Sequence, residues 1–507
     1  MKTSTLIDYK LQAMQQTLKL LSFILLAIFA SHTAYSQTDN DFRIVRGKLD
    51  SVRSETHYIV GVAKKGSEIF INDAPVKQYE TGSFGVELKL TEGNNNVNVK
   101  AITNGIEKTE AFSIYYKKSE PAIVQTIGTY SSPIVVTKKG AYLNYGGGED
   151  RLGGAKINFL AEGIKMELLD IENNLYKVRL SENRYAYIPK QFADVLPIGE
   201  EPPFSLTGSW SVSNIGSADK VSVALEAKQP YVIYREPELN RIIVDIHGVA
   251  CNSNWITQYQ DLKAIEYVHL NQKESDVLSV IIKLKDKYSW GYSVDYAGNA
   301  LEIIVNHTPL VLRDKSKIKS RTSLTGLLIG LDAGHGGRST GAVSPSGIKE
   351  KDLNLAMIYM LKEEIESRGG KVILSRTDDT DISMQERKDT FKNAGVHMVV
   401  SVHCNSGGNP LRPMGTSTYY RHIEDKPLAD TVLKRLLDLN LNNFGLIGNF
   451  NFSLIAPTEY PAILVETLFM SSLPDEEQLA SPEFQKKMMT KVALGLEDYI
   501  RLVKSSL

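Results

Sequence analysis

Four polar residues in the last third of the sequence have the types and the order needed for hydrolytic chemistry at a metal ion. His335, His403 and Glu466 each follow or end a short apolar run, and Glu350 lies between the two histidines. Two imidazoles and a carboxylate can hold Zn²⁺ and leave one position for water, while a second carboxylate can act as the base. The four residues therefore predict a zinc hydrolase.

The elements expected to position these residues are buried strands and one helix. The apolar runs are GLLIGLDAGHGG, HMVVSVHCNS and YPAILVETLF, each typical of a buried parallel strand ending in a polar side chain. The segment SGIKEKDLNLAMIYMLKEEIESRG has the period of an amphipathic helix, with Glu350 near its start. Because ligands of open α/β sheets bind outside the carboxyl ends of the strands, the four residues should meet there. We predict a C-terminal α/β domain with a mostly parallel sheet and helices on both faces.

Local features around these residues allow structural as well as functional interpretations. Glycines 334, 336 and 337 let the backbone turn sharply around His335 and are expected to leave room for a bulky substrate. Lys349 and Lys351, on either side of Glu350, are expected to reach solvent. A single histidine after a strand is usually structural, and a carboxylate at a helix start is often there for the helix dipole.

The whole chain predicts a secreted, multidomain globular protein. A chain of 507 residues is too long to fold around a single hydrophobic core, so roughly three or four domains are expected. With a formal charge of −1, the chain has no excess of positive charge that would favour binding to nucleic acid. Residues 1–36 are predicted to be a signal peptide, because lysines precede the apolar run 20–30 and Ala34-Tyr35-Ser36 fits a cleavage site. An uncleaved anchor is the alternative, although the run is shorter than the about 20 residues of a membrane span. We expect secretion across the inner membrane, a periplasmic location, and no membrane span after cleavage.

Three β-rich modules are predicted before the α/β domain. Residues 40–118 resemble bacterial immunoglobulin-like sandwiches, residues 130–198 resemble bacterial SH3-like barrels, and residues 204–310 are similar to AMIN-type domains. A linker is expected over 311–323, followed by the catalytic domain at 324–507. The only two cysteines, Cys251 and Cys404, fall in different predicted domains. The stability of the fold must therefore come from hydrophobic cores and not from disulfide bonds. Cys404 could be a nucleophile or ligand, but a buried filler on the opposite strand face is favoured.

Once its segments are compared in order, the C-terminal region resembles the zinc-dependent N-acetylmuramoyl-L-alanine amidases. The matching segments are LDAGHGGRSTGAVSPSGIKEKDLNLAM, VILSRTDDTDISMQERKDTFKNAG, MVVSVHCNS, GTSTYYR and PAILVETLFMSS. The resemblance implies one Zn²⁺ per catalytic domain, held by His335, Glu350 and His403. It also implies that Glu466 is the general acid/base and that Asn405 contacts substrate.

Two further residue sets follow from the same resemblance. Arg387 matches a family position, where it could contact substrate or tie loops together. Leu468 and Ser472 replace a glycine and an asparagine of the family pattern, so the cleft wall beside Glu466 is expected to be reshaped.

The function implied by the resemblance is peptidoglycan hydrolysis. The enzyme would cleave the amide between N-acetylmuramic acid and L-alanine of the stem peptide by zinc-activated water, with peptidoglycan or muropeptides as its partner. Two alternatives stay open: a zinc peptidase or deacylase acting on another amide, and a catalytically silent wall-binding scaffold. The sequence indicates no protein partner.

Overall fold

The structure is a computed structural model that describes residues 42–79, 82–118, 132–150, 152–197, 199–313 and 324–507. The chain divides into two compact units, Met1–Ile127 and Gly128–Leu507. The predicted signal peptide at 1–36 lies outside the described residues, as does the predicted linker beyond Arg313. Within the described residues, no helix has the length and apolar character to cross a membrane.

The first unit contains two β-sheets that share one core. One sheet has the order β1-β3-β6 and the other β2-β8-β7-β4-β5. Alternate apolar side chains of both sheets, among them Ile59, Phe84 and Val99, are buried together. The strands are β1 (Arg43–Arg46), β2 (Ser51–Val52), β3 (Thr56–Val62), β4 (Glu68–Ile71), β5 (Ala74–Val76), β6 (Ser83–Lys89), β7 (Gly93–Thr103) and β8 (Ile106–Tyr116).

The second unit begins with a module of seven strands, called here the second β module. Its order is β11-β10-β14-β13-β12-β9-β15. The strands are β9 (Ile134–Thr137), β10 (Tyr142–Asp150), β11 (Gly153–Phe159), β12 (Lys165–Glu172), β13 (Leu175–Ser181), β14 (Arg184–Pro189) and β15 (Ala193–Val195). The region is β-rich as expected, while its likeness to SH3 barrels stays a prediction.

The third β module, residues 205–306, consists of two sheets that pack on the second module through a common core. Their orders are β20-β16-β17-β25-β24, with β21 beside β16, and β18-β19-β23-β22. The strands are β16 (Ser205–Asn214), β17 (Ala218–Leu225), β18 (Tyr231–Glu236), β19 (Arg241–His247), β20 (Val249–Ala250), β21 (Thr257–Gln258), β22 (Ile265–Glu274), β23 (Val277–Leu284), β24 (Tyr292–Ala297) and β25 (Ala300–Asn306).

His247, at the contact between these two modules, gives their stability a pH dependence. Burial lowers its pKa to about 4, with Asp245 raising it and Arg184 lowering it further. An unfolded histidine titrates near pH 6.5. Between these two pH values the unfolded state binds a proton at this histidine and the folded state does not. His247 therefore leaves the free energy of unfolding unaffected above about pH 6.5 and lowers it as the pH drops towards 4. The loss from this residue should reach about 3 kcal/mol.

The pH dependence predicted for His247 can be measured by urea denaturation of the full chain at pH 7.5 and pH 4.5. His247→Gln should lose less stability between these two pH values than the wild type does. Equal losses in the two proteins would show that this histidine does not contribute.

The α/β domain is confirmed in the C-terminal region. Its sheet order is β27-β26-β28-β31-β29-β30; the first four strands are parallel, and β29 runs antiparallel to β31. The strands are β26 (Leu328–Ala333), β27 (Lys371–Leu374), β28 (Met398–Asn405), β29 (Thr416–Tyr420), β30 (Asn443–Ile447) and β31 (Ala462–Phe469). The helices are α1 (Leu310–Arg313), α2 (Glu350–Ser367), α3 (Met384–Ala394), α4 (Lys426–Leu437), α5 (Leu473–Leu479) and α6 (Pro482–Ser506).

Helices cover both faces of this sheet, and the alternation along the strands assigns each side chain to a face. Val400, Val402 and Cys404 of β28 join the core beneath α2, α4 and α6. Val399 joins the core around Phe391 of α3 on the opposite face. Cys404 is therefore buried away from the face that carries Val399, Ser401 and His403, as the filler interpretation predicted.

Candidate metal centre

The predicted site residues meet at the carboxyl edge of the parallel strands. His335 follows the end of β26, and His403 lies near the end of β28. The register places His403 directly opposite Glu466 on the neighbouring strand β31. Glu350 is the first residue of α2, and its main-chain N–H donates to Ala342 O at 2.9 Å, which folds the intervening loop back over β26.

Three of these side chains form a compact donor cluster. His335 Nε2 is 3.2 Å from Glu350 Oε2, and His403 Nδ1 is 3.0 Å from Glu350 Oε1. One possible ligand atom from each residue lies within 4.8 Å of the others. The Nε2 atom of His403 is buried and has no hydrogen-bond partner among the described residues. Two imidazoles and a carboxylate at these separations fit a zinc ion in donor type and number.

Two glycines next to the cluster leave room for its side chains. A Cβ added at Gly334 would overlap the imidazole of His403, and one added at Gly341 would crowd Glu350 and His335. His335 itself has a φ of 63°, in the left-handed region that non-glycine residues seldom occupy. The expectation that Gly334 leaves room for substrate is therefore wrong, because the space beside it is filled by His403.

The electrostatics of the cluster keep its carboxylate ionised. Burial raises the pKa of Glu350, but the hydrogen bonds and positive charge of His335 and His403 outweigh it, so the net shift is downward. The pKa of His403 is raised: burial lowers it, but Glu350, Glu466 and Asp332 more than compensate. Metal ligands must be deprotonated, so both imidazoles would have to be neutral to bind a cation.

A buried ion pair beneath the cluster fixes the turn that carries His335. Arg387 of α3 lies 2.6 Å from Asp332 Oδ1 and donates to the carbonyl oxygens of Ala333 and His335. The hydroxyls of Ser375 and Ser401 donate to Asp332 at 2.6 Å. Of the two roles left open for Arg387, this geometry supports tying loops together.

Breaking this ion pair should cost much more stability than breaking an exposed one on the same helix. Arg387→Met leaves Asp332 buried without its counter-charge, so the free energy of unfolding should fall by about 3–5 kcal/mol. The matched control is Lys392→Met, which removes an exposed pair with Glu459 and should cost less than about 1 kcal/mol. Urea denaturation measures both, and equal losses would contradict the role of Arg387.

Two further cations hold the same region. Arg376 donates to the carbonyl oxygens of Ala333, Gly334 and Lys351, which gives it a structural role. The expectation for Lys351 is wrong: its side chain is buried and its Nζ lies 2.5 Å from Asp379 and 2.9 Å from Gly337 O. The first turn of α2 faces the loop after β26, which turns this lysine inward.

Glu466 and Asn405 occupy the adjoining part of the sheet edge. Glu466 is partly exposed and flanks His403 across the β28–β31 pair. Asn405 Nδ2 donates to the hydroxyl of Tyr419 at 3.2 Å, which directs its side chain towards β29. The ring of Phe452 packs edge-on against His403, with centroids 5.6 Å apart.

Leu468 and Ser472, which were expected to reshape the cleft wall beside Glu466, are both buried, so neither side chain lines an open surface. The Leu468 side chain is fully buried in the core beneath α2, α4 and α6. Ser472 is the N-cap of α5, where its hydroxyl accepts from Asp475 N, and it also donates to Arg412 O. Leu468 thus contributes to core packing and Ser472 to the start of α5.

Several contributors to the site were not singled out from the sequence. They are Asp332, Ser375, Ser401, Asn354 and Phe452. A signal existed for Asp332, because a charge inside the apolar run LIGLDA requires a buried partner. Asn354, one helical turn after Glu350, donates to its carboxylate at 3.3 Å and to Gly334 O at 3.2 Å. The i, i+4 spacing could have indicated it.

The fold and the donor cluster together define a class. The C-terminal region is an α/β domain with a candidate metal centre at the carboxyl edge of its sheet and a further carboxylate beside it, the arrangement expected of a metal-dependent hydrolase.

One region of the chain matches a known protein family. Residues 329–498 match the family model Amidase_3, described as N-acetylmuramoyl-L-alanine amidase. The matched residues lie within the C-terminal α/β domain.

Individual proteins are similar to part of this chain. The chain is similar to the uncharacterized protein YqiI of Bacillus subtilis (strain 168), 29% identical over 180 residues, covering 35% of this chain and 86% of YqiI. It is 28% identical over 204 residues to the N-acetylmuramoyl-L-alanine amidase LytC of the same strain, covering 39% of this chain and 40% of LytC. A solved structure, the catalytic domain of the N-acetylmuramoyl-L-alanine amidase CwlV from Bacillus (Paenibacillus) polymyxa var. colistinus, is 31% identical. That match covers 34% of this chain and 98% of the other, with a TM-score of 0.33. The chain thus spans less than half the length of LytC.

Proposed function

We propose that this protein is a zinc-dependent peptidoglycan hydrolase that cleaves the amide bond between N-acetylmuramic acid and the L-alanine of the stem peptide. One observation carries the proposal: His335, Glu350 and His403 form a single donor cluster within an Amidase_3 domain. The alternative of a silent scaffold has less support, because the three donors and Glu466 are all in place.

His335, Glu350 and His403 are the proposed ligands of one zinc ion. When bound, Zn²⁺ supplies Lewis acidity, which polarises the scissile carbonyl and makes water acidic enough to attack near neutral pH. The ionised Glu350 contributes the single negative charge of the ligand set, and Arg387 holds the His335 main chain at the required turn. Asn354 and the main-chain N–H of Cys404 orient the Glu350 carboxylate.

Glu466 is the proposed general acid/base. It stands beside His403 on a buried strand, so its backbone is rigid, while its side chain stays partly accessible. In this role it takes a proton from the attacking water and returns it to the amine of the departing stem peptide. Asn405 is the proposed substrate contact, and its bond to Tyr419 would set the direction of its amide.

The organisation of the rest of the chain is part of the proposal. Residues 1–36 would direct secretion, and the modules at 40–118, 130–198 and 204–310 would precede the catalytic domain at 324–507. The substrate and the similarity to the amidase LytC support an extracytoplasmic location, and we propose the periplasm.

The bond that is cut distinguishes this function from its alternatives. Protein beginning at Gln37 would be incubated with purified muropeptides, with and without a chelator, and the products identified by mass spectrometry. Release of free stem peptides that begin with alanine, lost on chelation, is the expected result. Cleavage between two amino acids would support a zinc peptidase instead, and no product with zinc-loaded protein would support a scaffold.

A further inference from the structure

The second β module contacts the catalytic domain next to the candidate metal centre. The contact involves the rim segment, residues 448–461, which joins β30 to β31. Asn451 in this segment donates from Nδ2 to two carbonyl oxygens of the β10–β11 hairpin, Gly154 O at 2.8 Å and Leu152 O at 3.4 Å. Arg421, just after β29, donates to a third, Lys156 O at 2.8 Å.

Arg421 and Asn451 act as one unit. Arg421 Nη1 donates to Asn451 Oδ1 at 2.9 Å, while its Nη2 donates to the hairpin. Burial lowers the pKa of Arg421, with Tyr145 of the hairpin raising it, so this guanidinium is enclosed between the two domains. Arg421 and Asn451 supply the donors of these three bonds, and the acceptors are main-chain atoms of β11 and of the turn before it.

The residues on either side of Asn451 reach the site. Phe452 packs edge-on against the ring of His403 at 5.6 Å. Phe450 lies 4.6 Å from the ring of Tyr419, whose hydroxyl accepts from Asn405. Asn451 is therefore hydrogen-bonded to the hairpin, while its two neighbours reach the site. Phe452 contacts the proposed metal ligand His403, and Phe450 contacts Tyr419, which bonds to Asn405.

The other end of the rim segment is held by the third β module. Tyr292 N donates to Thr458 O, and Thr458 Oγ1 donates to Tyr292 O, both at 2.7 Å. Asn306 Nδ2 donates to Glu459 O at 2.8 Å. The segment is thus fixed by two modules outside the catalytic domain, and the aromatic residues Phe450 and Phe452 flank Asn451 at one of its ends.

We propose that Arg421 and Asn451 are positioning residues of the active site, through which docking of the β10–β11 hairpin holds Phe452 against His403. The second β module is then a structural part of the catalytic centre in addition to any role in binding the cell wall. The expected effect on catalysis rests on the proposed amidase function. The expected effect on the conformation of the rim segment does not, and it is tested separately.

The test uses the full-length chain and an isosteric substitution. Asn451→Asp keeps the acceptor for Arg421 but removes both donors to the hairpin, and Arg421→Lys keeps the charge but not the paired geometry. The matched control is Asn306→Asp, which removes one donor to a main-chain carbonyl at the other end of the segment. Hydrogen exchange of amides 448–453, the rate of zinc release to a chelator, and kcat/KM on muropeptides are measured for all four proteins, together with Tm.

Asn451→Asp and Arg421→Lys should raise exchange in the rim segment and release zinc roughly tenfold faster. Their kcat/KM should fall by at least ~10-fold, because a small displacement at the site is costly. Asn306→Asp should match the wild type in zinc release and activity. Wild-type exchange and zinc release in both test variants would overturn the proposal, as would equal effects in Asn306→Asp. A wild-type protein that cuts no muropeptide would refute the proposed function, while the exchange data would still decide this inference.

Discussion

Replacing Glu466 by glutamine is expected to lower kcat on muropeptides by ~10²–10⁴-fold, the contribution of a positioned general acid/base. Glutamine has nearly the same shape and stays on the rigid strand β31 beside His403, but it cannot take up the proton of the attacking water. Zinc content should be unchanged, because Glu466 is not one of the three clustered donors. Steady-state kinetics and metal analysis of the same preparation give both values.

The control for the Glu466 substitution is Glu483→Gln, which removes an exposed carboxylate in the first turn of α6 and should leave kcat unchanged. A Glu466→Gln protein within tenfold of wild-type kcat would show that another group moves the proton. Loss of zinc in that protein would instead make Glu466 a ligand.

The second large effect is expected at Glu350. Glu350→Gln removes the only negative charge from the donor cluster. Zinc affinity should therefore fall by more than the ~10–100-fold that is typical when a residue hydrogen-bonded to a metal ligand is lost. Activity at limiting zinc should fall with it. Competition against a chromophoric chelator measures the affinity directly.

The matched control for Glu350 lies two residues further along the same helix. Asp352→Asn makes the same change of charge in the first turn of α2, but at an exposed position, and should leave zinc affinity within about twofold of wild type, since exposed charges are screened. Equal losses in the two variants would indicate a helix-dipole effect in place of ligation. Undiminished zinc affinity in Glu350→Gln would remove this residue from the ligand set.

The convergence of the donors could be predicted because it depends on periodicity and on strand polarity. Apolar runs before His335 and before His403 indicate parallel strands, and parallel strands bring their carboxyl ends to one edge. Glu350 marks the start of the helical period, and α2 begins at that residue. These inferences need only the order of elements along the chain.

What could not be predicted depends on loop conformation and on contacts between modules. The left-handed backbone of His335 and the inward turn of Lys351 depend on how the 334–349 loop folds, for which the sequence has no period. The burial of Leu468 depends on which face of β31 packs against α2, α4 and α6. The hairpin contact of Asn451 joins residues separated by 297 positions, and its acceptors are main-chain atoms that any sequence would provide.

The measurement that tests the central claim most directly is a zinc titration of metal-free full-length protein, followed by muropeptide cleavage and metal analysis. If His335, Glu350 and His403 hold the catalytic ion, activity should rise in proportion to bound zinc and reach its maximum at one ion per chain. His403→Ala should neither bind that equivalent nor recover activity. Full cleavage by the metal-free protein, or full recovery in His403→Ala, would contradict the account.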